Sequence, residues 1–124
     1  MEIQAWTSQA WMLLDIGIAM ILGGIIGIER EQSDKPAGLR THMLMSATAC
    51  LLLHLGIFIS EELSLELDGQ ALGIDPTRII HAIIVGVSFI GAGTILKSRE
   101  DQTIQYLTTA ATILAAAAVG ICVG

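Results

Sequence analysis

Few residues in this sequence have a type and setting suited to chemistry, and most of them stand inside or beside long apolar runs. Asp15 is the plainest. It lies about one helical turn inside the first run, where an ionisable side chain is costly unless paired or hydrated. It reads either as a boundary residue reaching back to the surface, or as a cation or proton ligand or a fixed charge partner. Arg78, which opens the third run, is the candidate partner of opposite sign. Cys50 and His54 are four apart, which puts two metal-ligating groups on one helix face, but two ligands without a third do not define a site. The stretch Glu29 to His42 is the richest polar patch. Pro36 and Gly38 set a turn, and Arg40, Thr41 and His42 then open the second run. It reads either as an ion-pair cluster fixing helix ends, or as a contact site for an anion, a lipid headgroup or a partner protein. No spacing points to a nucleophile, base and orienting group, and no phosphate-binding G-x-x-x-x-G-K-[ST] loop is present. Neither an enzyme nor a bound cofactor is expected.

The elements that must position these residues are apolar. Of 124 residues, 53% are hydrophobic and 15% charged, and the mean hydropathy is +0.71. Soluble domains carry about a quarter charged residues, so an ordinary soluble domain is excluded, as is a disordered tail. Six basic against twelve acidic residues give a net charge of −6, which disfavours nucleic-acid binding. Four runs, at about 11–28, 41–60, 79–96 and 104–124, approach the ~20 residues a membrane-spanning helix needs. Apart from Asp15 they contain no Asp, Glu, Lys or Arg. The expected fold is all-α: a single polytopic domain of about four closely packed transmembrane helices. Its first partner is membrane lipid.

Small residues mark where such helices would touch. Asp15, Ala19, Gly23 and Gly27 recur every four residues and form one stripe, with Gly23 and Gly27 as a G-x-x-x-G pair. Ala116, Gly120 and Gly124 repeat the pattern in the fourth run. In the third, Gly86, Ser88, Gly91, Ala92 and Gly93 crowd within two turns. They read as a bend, a close crossing, or carbonyls exposed to an ion as in broken transporter helices. Spans three and four are therefore expected at the centre. Asp75 followed by Pro76 has the form of a helix start.

The run Gly23-Gly24-Ile25-Ile26-Gly27-Ile28-Glu29-Arg30-Glu31, then Pro36-Ala37-Gly38-Leu39-Arg40-Thr41-His42, resembles the MgtC/SapB membrane domain. Asp75 to Ile79, Gly86 to Ile95 and Leu107 to Thr112 agree in order, so the likeness covers residues 13–124. The resemblance implies a bacterial inner-membrane protein tied to magnesium-limited growth and, in pathogens, to survival inside macrophages. Members are labelled magnesium transporters or transport-ATPase C proteins. The better-supported family role is regulation, including restraint of the proton-driven ATP synthase. Positions matching Glu29, Arg30, Gly38, Leu39, Arg40, Thr41 and Gly91 to Gly93 belong to the family signature, and Asp15 matches its first-span acid. The resemblance also implies a fifth span and often a soluble C-terminal domain, which this sequence lacks, and Gln105-Tyr106 and Ile113-Leu114 depart from the usual Gly and Trp. Two functions compete: binding and regulating another membrane complex, through a partner protein or self-association, or carrying magnesium or another cation.

Orientation follows from Lys and Arg in the short connections. Arg30, Lys35 and Arg40 lie between spans one and two, and Lys97 and Arg99 between spans three and four. Residues 61–77 hold five acids and no base. The N-terminus and the acidic connection are expected outside the cytoplasm, with the basic connections inside. A reporter fused after Gly124 should therefore be active outside the cytoplasm, and activity confined to the cytoplasm would overturn this orientation.

Overall fold

The computed structural model describes residues 2–66, 75–97 and 106–124. It comprises four helices: α1 (Glu2–Gln32), α2 (Leu39–Glu66), α3 (Pro76–Lys97) and α4 (Tyr106–Val123). There is no strand among the described residues, as a lipid environment that leaves no partner for an unpaired amide requires. Each helix contains an apolar stretch long enough to cross a bilayer: 9–32, 39–63, 76–95 and 106–123. Residues 67–74 of the acidic connection and residues 98–105 lie outside the described residues.

The helices exceed the apolar runs at their charged ends. Glu29, Arg30 and Glu31, expected in a connection, form the last turn of α1, because charged side chains at a membrane surface need not leave the helix to reach water. The turn after them closes on itself. Asp34 adopts a left-handed conformation, φ 53°, and the amides of Lys35 and Asp34 donate to the carbonyls of Arg30 and Glu31 at 3.0 and 3.2 Å. This is a Schellman closure, with an aspartate in the place glycine usually takes. The start of α3 is capped as its sequence suggests. Asp75 Oδ1 accepts from the Thr77 amide at 2.9 Å, and Pro76 fills the first helical position.

α2 and α4 are the central pair. Each packs on all three other helices, and α1 and α3 flank them. This corrects the expectation that spans three and four share the centre: the share of each span buried within the chain is 28% for α4 and only 17% for α3. An aliphatic core of Ala49, Leu53, Ile83, Val87, Ile113 and Ala117 joins α2, α3 and α4, with Ala37 of the α1–α2 connection tucked against it. The outward faces carry large apolar side chains, among them Trp11, Ile21 and Phe89, the last 81% exposed. Between α2 and α3 runs an open groove of about 400 Å³, lined by Met45, Thr48, Leu52, Ile79, Gly86 and Ile90.

The Asp75 cap makes a pH prediction. The Thr77 hydroxyl and amide, with the Arg78 charge, hold the Asp75 carboxyl below its usual value. Its contribution is fully present above the unfolded value of about 3.9 and is lost as pH falls through the lower folded value. Asp75→Asn keeps a cap but does not titrate. The stability gap between wild type and Asp75→Asn should therefore be constant above about pH 5 and close on acidification, as read by thermal unfolding in detergent.

Candidate functional site

One face of α2 carries two of the four buried polar residues among those described. His42, Ser46 and Cys50 follow at four-residue steps, and all three are fully buried. α1 runs antiparallel along this face. A Cβ on Gly27 would stand 2.6 Å from Leu39 Cα and 3.1 Å from His42 Cβ; one on Gly23 would stand 2.5 Å from the His42 carbonyl oxygen and 2.6 Å from Ser46 Cβ. Glycine is required at both places because backbone meets backbone. Farther along the stripe Ala19 is also fully buried, and Asp15 reaches His54: its Oδ2 lies 3.3 Å from His54 Nε2. The stripe from 15 to 27 thus lies along α2 from 54 to 42.

From the other side α4 approaches in parallel. A Cβ on Gly120 would collide with the Ser46 carbonyl, and one on Gly124 would stand 3.1 Å from the Cys50 carbonyl oxygen. Ala116, one turn earlier, is fully buried. Gly91 meets Ala110 at an ordinary 3.4 Å, so it belongs to the α3–α4 contact. Gly86 and Gly93 correct the packing role expected of them. Nothing lies within 4 Å of their Cβ positions, and Gly86 opens on the groove beside α2.

Asp15 corrects another expectation. Its partner is His54 and not Arg78, which is exposed in the first turn of α3. Both members of the pair are partly exposed, 32% for Asp15 and 21% for His54. Asp15 lies six residues beyond the start of its span at Gln9, about 9 Å in at 1.5 Å per residue. A carboxylate at that depth is less costly opposite an imidazole than alone. The His54 contact is an ion-pair distance and not a well-aligned hydrogen bond. Among the described residues no group of three or more His, Cys, Asp or Glu could hold a metal ion. Cys50 and His54 therefore gain Asp15 as a neighbour of His54 without forming a ligand set.

At the other end of the seam the α1–α2 connection is knitted by its own side chains. Glu31 Oε2 accepts from the Leu39 amide at 2.9 Å, so an acid of α1 caps α2. A side chain on Gly38 would press on that carboxylate at 3.1 Å. His42 Nδ1 donates to the Gly38 carbonyl at 2.8 Å, which turns Nε2 into the interior. Of the predicted residues here, Glu29, Arg40 and Thr41 are exposed, while Arg30 and His42 are buried. Sequence reasoning missed Glu31 and Ser46 as members, and His54 as the partner of Asp15. The shared four-residue spacing relates the pairs on the two helices: with Gly27 set against His42, Gly23 meets Ser46 and Asp15 meets His54.

The family model described as "MgtC family" matches residues 16–124. Protein SapB of Bacillus subtilis is 38% identical over 120 residues, 97% of this chain and 50% of that protein. The Escherichia coli K12 protein named "Putative magnesium transporter YhiD" is 40% identical over 116 residues, 93% of this chain and 51% of its own length. Protein MgtC of Brucella abortus is 34% identical over 119 residues, 96% and 44% of the two chains. The chain thus spans about half the length of the curated relatives it matches. No solved structure matches it.

The two kinds of glycine should respond differently. Gly120→Ala should destabilise the bundle by about 1–3 kcal/mol through overpacking. Gly86→Ala should change stability by no more than about 0.5 kcal/mol, both read by unfolding in detergent.

Proposed function

This chain belongs to the MgtC family, and from that premise we propose that it is a non-catalytic protein of the bacterial inner membrane, linked to magnesium homeostasis and low-magnesium or virulence adaptation. It acts by binding and regulating another membrane complex. Its N-terminus lies outside the cytoplasm, in keeping with the basic connections. The magnesium link is supported by the name of the related E. coli protein. Because the chain covers about half of its relatives, activity and partner here are those of the membrane domain.

The observation that carries the binding reading is the outward face of α3. It is the least covered span; its Gly86 and Gly93 face open space, and Gly86 lines the groove beside α2. Inside a bilayer a glycine with room beside it lets a foreign helix come close, and small-residue faces are how membrane helices associate. Cation transport is the second reading, and one observation favours it: Asp15 and His54 form a titratable pair within the span. Ionisable groups at that depth mark ion and proton routes in many membrane proteins.

Magnesium flux into proteoliposomes separates the two, with wild type, Asp15→Asn and protein-free vesicles in parallel. The binding reading expects no flux above the protein-free vesicles from correctly inserted protein. Saturable flux that disappears in Asp15→Asn would overturn it in favour of transport.

A further inference from the structure

Arg30 is 6% exposed, and its Nε and Nη2 have no hydrogen-bond partner in the protein. Those two nitrogens form one edge of the guanidinium: two parallel N–H groups whose spacing matches the two oxygens of a carboxylate or phosphate. A buried guanidinium without a counter-charge costs several kcal/mol. The neighbouring acids do not supply one. Glu31 spends its carboxylate on the Leu39 amide, Glu29 is exposed, and the ion pair at Asp15 and His54 lies at the opposite end of the seam.

Arg30 is not alone. His42 and Thr109 are fully buried, and His42 Nε2 and Thr109 Oγ1 also lack a partner in the protein. All three lie toward the end of the bundle where α1 ends and α2 and α4 begin. Arg30 sits in the last turn of α1, His42 in the first turn of α2 and Thr109 in the first turn of α4. These three helices pack on one another, and α2 and α4 both begin at this end. The positive ends of two helix dipoles therefore lie toward the same end of the bundle as the guanidinium. Lys35 and Arg40 stand exposed at the same membrane face.

We propose that Arg30, with His42 and Thr109, binds a phosphate-type oxyanion at the connection end of the α1–α2–α4 junction, taken from an anionic phospholipid headgroup or from free phosphate. Arg30 supplies the charge and a two-pronged donor edge, the Thr109 hydroxyl a third donor, and His42 a fourth when its Nε2 carries a proton. Lys35 and Arg40 raise the local anion concentration at the mouth. The site does not depend on whether the chain regulates a complex or carries a cation.

The test uses the full chain in nanodiscs of phosphatidylcholine alone, of phosphatidylcholine with 30% phosphatidylglycerol (about one lipid in three, enough to saturate a headgroup site of modest affinity), and of phosphatidylcholine with inorganic phosphate added. Thermal unfolding and lipid retention in native mass spectrometry are read for wild type, Arg30→Met, Arg30→Lys and Thr109→Val. A headgroup site predicts that wild type is stabilised by phosphatidylglycerol and retains it. Arg30→Met should abolish both effects. Arg30→Lys should weaken retention about tenfold or more, since a lysine keeps the charge but not the paired donors. A free-phosphate site predicts the same pattern with the phosphate arm. Thr109→Val should weaken whichever ligand binds. The proposal is overturned if neither anion stabilises wild type. It is also overturned if Arg30→Met and Thr109→Val raise stability equally in all three discs, since removing an orphan polar group is then a plain gain. Should Arg30→Met fail to fold, Arg30→Lys and Thr109→Val decide between these outcomes alone.

Discussion

The bundle depends on one face of α2 being reached at backbone distance from two sides. In lipid, apolar side chains gain little by leaving one hydrocarbon surface for another, so association rests on close van der Waals approach and polar contacts. Between His42 and Cys50 that approach is at its limit. α1 meets the face through Gly23 and Gly27 and α4 through Gly120, each where a methyl group would strike a main-chain atom or a Cβ. The shape of the bundle follows. α2 and α4 are central because they share this contact. α1 completes it, and α3 is attached through an ordinary aliphatic core that leaves a groove alongside.

The same geometry explains why the polar residues sit where they do. A seam closed by glycine has room for the small Ser46 but not for longer polar side chains, which sit toward its ends. Toward one end, Asp15 and His54 meet across α1 and α2. At the other, the connection holds itself with Glu31, Gly38 and His42, and Arg30 turns inward. The hydroxyls of Thr94 and Thr112 donate instead to carbonyls of their own helices, at 3.1 and 3.0 Å, a common arrangement for threonine inside a helix.

Much of this was legible in the sequence. Four spans followed from length and charge exclusion, the start of α3 from Asp75 and Pro76, and the α1 seam from the spacing of Gly23 and Gly27. What could not be read was the surface those glycines press on. α2 offers them backbone carbonyls beside Ser46 and Cys50, and a receiving face of that kind carries no glycine signature. Gly86 and Gly93 misled for the complementary reason. A small residue shows that a close approach is allowed, not that this chain makes it. Asp15 drew Arg78 as its partner because charge sign was read without the α1–α2 contact, which brings His54 to it.

The contact between Gly120 and Ser46 also bears on how the protein is made. α1 and α2 are joined by six residues, so their seam can close as soon as both are in the membrane, at small loop-closure cost. Gly120 is synthesised more than seventy positions after Ser46. A chain emerging from its N-terminus at about 5–20 residues per second leaves the second side of α2 uncovered for seconds. During that interval the hairpin presents a half-built groove, with Ser46 and Cys50 open to any small-faced helix nearby. The insertion of α4 is thus the step that removes a transient binding surface from the bilayer.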